Sequence, residues 1–280
     1  MKAIIFGGTG LLGSSITQDL ITKKYNCLIT SKNKKSNLKT NHLSKNIILK
    51  FLKKNKPNLI INCLGEMNVD LCNKDFMHAY KSNVLTVKNI VTSLNELKHN
   101  CFFVHISTDQ VYNSTKANNE KNINPSNNYG YTKFLGEKEA MKFKKTLILR
   151  TNFYGQSKSK NRKSFSDYII SNLKKNNKIS LPMNIFFNPV HIKFLNSVIF
   201  KLIKKKATGI FNVGSKDCIS KYKFGIDVAK KFGLNKKDII KYKSKFEKNN
   251  RPLNTFMHTK KLEKKIKIKI PSIKDGLELL

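Results

Sequence analysis

From Lys2 the sequence reads Lys2-Ala3-Ile4-Ile5-Phe6-Gly7-Gly8-Thr9-Gly10-Leu11-Leu12-Gly13. The apolar run predicts a strand over Lys2–Phe6, the glycines a tight turn, and the pattern from Leu11 to Thr22 a helix. Gly7, Gly10 and Gly13 give the spacing G-x-x-G-x-x-G between that strand and that helix. Without side chains, backbone N–H groups there can approach a pyrophosphate, and the helix N-terminus adds partial positive charge. Glycine spacing alone would also suit a structural turn; the strand–turn–helix context is what points to a dinucleotide.

Outward from this stretch, short apolar runs alternate with helical patterns. Asn26–Thr30, Asn58–Leu64, Cys101–Ile106 and Thr146–Arg150 predict strands. Val84, Val87, Val91, Leu94 and Leu97 form one helix face at steps of three and four. Residues 113–128 are polar and read as a loop, and Thr132–Phe143 as a helix burying Leu135, Ala140 and Phe143. Ser31–Asn46 is rich in Lys and Asn; no third strand is assigned in it, and such runs read as loops or solvated faces. The alternation predicts an α/β fold, a doubly wound parallel sheet of the Rossmann type with ligands at the strand C-termini. After Arg150 the pattern is less regular: helices over Phe165–Leu173, Leu195–Lys204 and Lys223–Phe232, and a strand over Gly209–Val213. This half is expected to form a smaller C-terminal substrate-binding lobe. The expected division puts residues 1–153 and about 186–206 in the dinucleotide domain, and about 154–185 and 207–280 in the lobe.

The chain has 280 residues and 55 Lys+Arg against 17 Asp+Glu, a formal net charge of +38. Only three of the basic residues are arginines: Arg150, Arg162 and Arg251. The lysines are spread along the whole chain, and nucleic-acid readers favour the bidentate arginine fork. The charge therefore reads as compositional drift on solvated faces, with no specific nucleic acid as partner. No apolar stretch approaches a membrane span, and the short run Ala3–Phe6 leads into glycines rather than a cleavage site. A cytoplasmic protein without a membrane partner is expected. The five cysteines are odd in number and include no C-x-x-C pair. Cys27, Cys63 and Cys101 lie in strand-like runs and read as reduced core thiols, with no metal site. A hydrophobic content of 39% with 18 Phe supports a sizeable core.

Three further stretches carry chemistry. Thr30-Ser31-Lys32-Asn33-Lys34-Lys35 ends the second strand without the acid that would bind a ribose 2′-OH; Ser31 and Lys32 suit a 2′-phosphate, so NADPH is favoured, with NADH as the alternative. Tyr129 and Lys133 are spaced i, i+4 on one helix face, where the ammonium lowers the phenol pKa and equips Tyr129 for proton transfer. Composition predicts about 1.7 such Tyr-x-x-x-Lys pairs by chance. Three occur, and only Tyr129/Lys133 opens a convincing helix. Ser107-Thr108-Asp109-Gln110 ends the strand from Cys101, placing hydroxyls where a carbonyl oxygen could be bound.

Together these residues resemble the extended short-chain dehydrogenase/reductase superfamily and, within it, the dTDP-4-dehydrorhamnose reductase family. Besides the loop and the Tyr/Lys pair, the likeness rests on Ile61-Asn62-Cys63, Asn83-Val84, Ile106–Asp109, Gly136-Glu137, Leu149-Arg150-Thr151, Asn188-Pro189, Thr208–Asn212, Arg251-Pro252-Leu253-Asn254 and Ile270-Pro271. The resemblance implies Thr108, Tyr129 and Lys133 as a catalytic triad. It implies cofactor contacts from Gly7, Gly10, Leu11, Leu12, Gly13, Ser31, Lys32, Cys63, Leu64, Gly65 and Asn83, besides Tyr129 and Lys133. Gln110, Asn152 and Arg251 would bind a nucleotide-sugar substrate, and a homodimer is compatible with the family. The implied reaction is hydride transfer from NADPH to the C4 carbonyl of a nucleotide-linked 6-deoxy sugar. Gln110 replaces the family's frequent Tyr, and it also differs from the acid of the related dehydratases, which argues against dehydration. Two other readings stay open: a 4-epimerase holding NAD, and a non-catalytic regulator like the regulatory subunit of a methionine adenosyltransferase. His191 reads as packed rather than catalytic.

Overall fold

The structure is a computed structural model, and it describes residues 1–31, 38–39, 44–157, 163–245 and 251–280. The chain forms two compact units. The first comprises Met1–Thr108, Asn127–Arg150 and Phe200–Phe211; the second comprises Asp109–Ser126, Thr151–Ile199 and Asn212–Leu280. Residues 109–126, 151–153 and 186–199, expected with the first unit, cluster with the second, and residues 207–211 cluster with the first.

The first unit is built on β1 (Lys2–Phe6), β2 (Asn26–Ser31), β3 (Leu38–Lys39), β4 (Leu59–Asn62), β5 (Phe102–Thr108), β6 (Thr146–Thr151) and β7 (Gly209–Val213), in the order β7-β6-β5-β4-β1-β2-β3. The pairings β1·β2, β1·β4, β2·β3 and β4·β5 are parallel. The order 3-2-1-4-5-6 reverses at β1, the Rossmann arrangement with its ligand crevice at the strand C-termini. Every residue of β4 and β6 is buried, as are Ala3–Phe6 of β1. Strands covered on both faces read as unbroken apolar runs, which is why they were visible in the sequence.

Helix α1 (Leu11–Thr22) buries Leu12, Gly13, Ile16 and Leu20. Helix α2 (Lys45–Asn55) follows the Lys/Asn-rich run in a stretch to which the sequence assigned no element; Ile48 and Leu52, four residues apart, anchor it in the same core as Ile4, Phe6 and Phe103. The strand β3 was also unassigned. Helices α3 (Val69–Lys74) and α4 (Phe76–Tyr80) follow β4. A π-helical turn, Lys81–Leu85, joins α4 to α5 (Thr86–Glu96), with the Thr86 N–H donating to the Lys81 carbonyl. Val87, Ile90, Val91 and Leu94 of α5 are buried, close to the face expected.

Helix α6 spans Asn128–Ala140, earlier than Thr132–Phe143, because the Asn127 side chain caps it by accepting from the Gly130 N–H. Its buried residues are Tyr129, Gly130, Thr132, Lys133, Gly136, Glu137 and Ala140, whereas Leu135 is only half-buried. A helix that turns a polar face inward escapes a search for apolar periodicity.

The second unit has an aromatic centre. The Phe224 ring stacks on Phe165 and meets Tyr154 and Phe187 edge to face, with centroids 5.0–5.6 Å away. Helices Phe165–Leu173 and Lys221–Lys231 carry two of these rings. The strand Ile179–Pro182 pairs in parallel with Ile239–Tyr242, and Phe186–Phe187 pairs antiparallel with Ile219–Ser220. Among the described residues no helix is long and apolar enough to cross a membrane.

Candidate active site

In the first unit the loop after β1 is shaped by its glycines. Gly7 has φ +80°, and its N–H and that of Gly8 both donate to the Thr30 carbonyl at the end of β2, at 3.0 and 3.2 Å. A Cβ on Gly13 would stand 2.2 Å from the Gly7 carbonyl oxygen, so only glycine lets α1 start this close to β1. Gly10 is the N-cap of α1 and no side chain caps that end. Leu11 and Leu12 open the helix beside these N–H groups. The glycine cradle and the uncapped helix end fit a dinucleotide pyrophosphate. Ser31 closes β2 and is buried; Lys32 lies outside the described residues.

Beyond β4 the chain runs through Cys63, Leu64 and Gly65. Cys63 lies just past the strand, half-buried rather than in the core, and burial pushes its thiol up to about 12 against the lowering effect of Lys133. Asn62 secures this turn: its Oδ1 accepts from the Leu64 N–H at 3.1 Å, and its Nδ2 is 3.1 Å from His105 Nδ1 on β5. Burial first, and then Lys133, hold the His105 pKa well below the usual value, so the ring is neutral and Nδ1 can accept.

Asn83 sits in the π turn and ties three segments together. Its Oδ1 accepts from the Glu66 N–H at 2.8 Å, and its Nδ2 donates to Thr132 Oγ1 at 3.0 Å and to the Glu66 carbonyl at 3.3 Å. A Cβ on Gly136 would meet the Asn83 carbonyl oxygen at 2.4 Å, so α6 lies directly against this turn. An irregular helical turn at a functional site is a recurrent arrangement.

Lys133 is 5% exposed and donates to the Ile106 carbonyl near the end of β5, at 2.7 Å. Burial pulls its pKa from 10.5 down to about 8, with Glu137 and Cys63 pulling the other way. Its Nζ lies 3.6 Å from the point where a Gly65 Cβ would be, so Gly65 leaves the ammonium open on that side. Tyr129 is buried one helical turn earlier on the same face of α6, and Thr108 is the buried last residue of β5. Lys133 is therefore fixed to the strand that ends in Thr108.

A residue pair that the sequence reading did not connect supports this helix. Arg150 of β6 and Glu137 of α6 are each 1% exposed. Arg150 Nε donates to Glu137 Oε1 at 2.9 Å, its second terminal nitrogen donates to Oε2 at 2.6 Å, and Ser107 Oγ donates to Oε1. A buried carboxylate answered by a bidentate guanidinium and a hydroxyl is the geometry for which arginine cannot be exchanged for lysine.

Gln110, Asn152 and Arg251 lie in the second unit, where they line one open pocket with Asp109, Ile185, Phe187, Lys221, Pro252 and Thr255. Asp109 is 2% exposed; its Oδ2 accepts from Asn152 Nδ2 at 3.0 Å and from Thr255 Oγ1 at 2.7 Å. Lys221 and Thr255 were not singled out in the sequence. Lys221 had no signal among so many lysines, and Thr255 none beyond its nearness to Arg251. His191 is packed edge-on to Tyr154 at 5.6 Å and accepts from the Lys193 N–H; burial lowers its pKa to about 4.

A family model described as RmlD substrate binding domain matches residues 1–280. A dTDP-4-dehydrorhamnose reductase from Aggregatibacter actinomycetemcomitans is 24% identical over 242 residues, covering 81% of this chain and 78% of the relative. Methionine adenosyltransferase 2 subunit beta from Xenopus tropicalis is 23% identical, covering 83% and 72%. Among solved structures, dTDP-4-dehydrorhamnose reductase from Bacillus anthracis in complex with NADP has the same fold, with a TM-score of 0.88, 23% identity and coverage of 99% and 97%.

Proposed function

Because the chain belongs to the RmlD substrate-binding domain family, we propose that it reduces the 4-keto group of a nucleotide-activated 6-deoxy sugar with NADPH, the reaction type of dTDP-L-rhamnose synthesis. One observation carries this reading: a buried ammonium, Lys133, is fixed to the Ile106 carbonyl on the strand ending in Thr108, one helical turn from Tyr129. The names borne by the reductase relatives support it.

When bound, NADPH supplies the hydride. The protein positions the carbonyl and manages the proton. The Tyr129 hydroxyl donates its proton to the sugar oxygen as negative charge develops there, and the Thr108 hydroxyl hydrogen-bonds the same oxygen. Lys133 favours the phenolate left behind, because a cation beside an acid stabilises its charged form. Gly7–Gly13 hold the pyrophosphate, with Ser31 and Lys32 taking the 2′-phosphate. Cys63–Gly65 and Asn83 form the wall next to Lys133. Gln110, Asn152 and Arg251 receive the nucleotide sugar. Gln110 offers an amide where a dehydratase needs a carboxylic acid, so loss of water from the sugar is not part of the reaction.

The test is NADPH oxidation by purified protein with dTDP-4-keto-6-deoxy-L-mannose. We expect turnover, and a loss of about 10²–10⁴-fold in Tyr129→Phe. NAD retained through purification with no net consumption would replace this reading with an epimerase. NADP binding without turnover, together with a co-purifying enzyme, would replace it with the regulatory role suggested by the methionine adenosyltransferase likeness.

A further inference from the structure

Lys221 occupies a position that solvated composition does not explain. It is the first residue of the helix Lys221–Lys231, capped by Ser220, whose side chain accepts from the Lys223 N–H. The N-terminal end of a helix carries partial positive charge and favours anions, so a lysine there is on the wrong end. Its side chain is only half-buried, yet it runs over aromatic faces, with Nζ 5.4 Å from the Phe165 ring centre and 5.8 Å from that of Phe187. Burial and then the neighbouring Arg251 lower its pKa, and Asp109 opposes them. Asp109 is the acid of the pocket lining, and its Oδ2 already accepts from Asn152 and Thr255. Two cations and a helix N-terminus thus converge on a pocket that Ile185, Phe187 and Pro252 partly wall with apolar surface.

We propose that Lys221 is the second cation of a phosphoryl-binding seat shared with Arg251. The identity of the molecule carrying that diphosphate rests on the reductase reading; the seat itself does not. Arg251 supplies a planar fork and Lys221 a compact point charge, which together suit a group bearing two or more negative charges. Binding such an anion screens the two cations from each other and complements the helix end.

The experiment uses inorganic pyrophosphate on the full chain, with NADP⁺ saturating so that the glycine loop is filled. Thermal melts and calorimetric titrations compare the wild type with Lys221→Met, Lys221→Arg and Lys223→Met. Lys223 is exposed on the same helix, ion-paired with Asp227, and controls for the general attraction of a +38 chain for anions. We expect Lys221→Met to bind pyrophosphate at least 10-fold more weakly. Lys221→Arg should keep most of the affinity, and Lys223→Met should change it less than 2-fold. Wild-type affinity in Lys221→Met, or equal weakening in Lys223→Met, would overturn the seat. A lower melting temperature in Lys221→Met that Lys221→Arg restores, with unchanged affinity in both, would make the lysine a structural residue and overturn it as well. Because the readout is pyrophosphate binding, absence of reductase turnover would count against the proposed function and leave this result standing.

Discussion

Glu137 stands one helical turn beyond Lys133 on the buried face of α6, and its charge props up the pKa of that lysine while Arg150 and Ser107 engage its own oxygens. The carboxylate thus serves two cations, one that closes the fold and one that faces the candidate cofactor site.

The pH dependence of the reaction should report this. In the proposed mechanism Lys133 assists Tyr129 only as a cation, and a base is protonated below its pKa. With burial setting that pKa at about 8, kcat/KM is expected to be level below this value and to fall above it with a slope of one proton. In Glu137→Gln, losing the charge that raises the pKa should move the falling limb to lower pH. A pH–rate series on both proteins checks the direction.

The buried pair should be sensitive to which partner is removed. Arg150→Met takes the bidentate guanidinium away from the buried Glu137 carboxylate, and about 3–5 kcal/mol of stability should be lost in urea unfolding. Arg150→Lys keeps the charge but loses the fork, with an expected loss of about 1–3 kcal/mol. The double variant Arg150→Met/Glu137→Met should be more stable than Arg150→Met alone, because the buried carboxylate that needed the guanidinium is gone with it.

Gly13→Ala places a methyl group 2.2 Å from the Gly7 carbonyl oxygen, so β1 and α1 must separate. We expect NADPH affinity to fall at least about 10-fold, the equivalent of 1.4 kcal/mol, in a fluorescence titration, with the circular dichroism spectrum retained.

Asn83→Ala removes the links from the π turn to Glu66 and Thr132. Each buried partner left unsatisfied costs about 1–3 kcal/mol. The wall beside Lys133 should loosen, seen as a lower kcat of at least about 10-fold and a lower melting temperature in the same preparation.

The parts of this architecture legible in the sequence were those with one dominant physical signal. Strands β1 and β4 are buried on both faces and read as apolar runs, and the glycine loop has a spacing that few other structures require. Helix α2 was hidden because six of its eleven residues are Lys or Asn and only Ile48 and Leu52 are fully buried. The start of α6 was misplaced because its inward face carries Tyr129, Thr132, Lys133 and Glu137 in place of aliphatic residues. Tyr129 and Lys133 were nonetheless found, through their spacing and a family resemblance. The Glu137–Arg150 partnership joins a helix to a strand across the core, and no local pattern announces it. Lys221 shows the opposite difficulty: where lysine is the commonest way to fill a solvated position, a lysine with a task carries no mark of its own.

The π turn at Lys81–Leu85 makes this part of the chain sensitive to residue count. Residues 76–96 run helically from α4 through α5, with one wide turn inserted where Asn83 sits. Deleting one residue there would let the backbone relax to ordinary α-helical winding, and the helix would survive. Each residue of an α-helix turns about 100°, however, so the segments on either side of the deletion would rotate against each other by that amount. Either the Asn83 amide would turn away from Glu66 and Thr132, or Val87, Ile90, Val91 and Leu94 would leave the core. A change of length is therefore forbidden here, and the extra residue behaves as a register pin between the hydrophobic core and the candidate catalytic face.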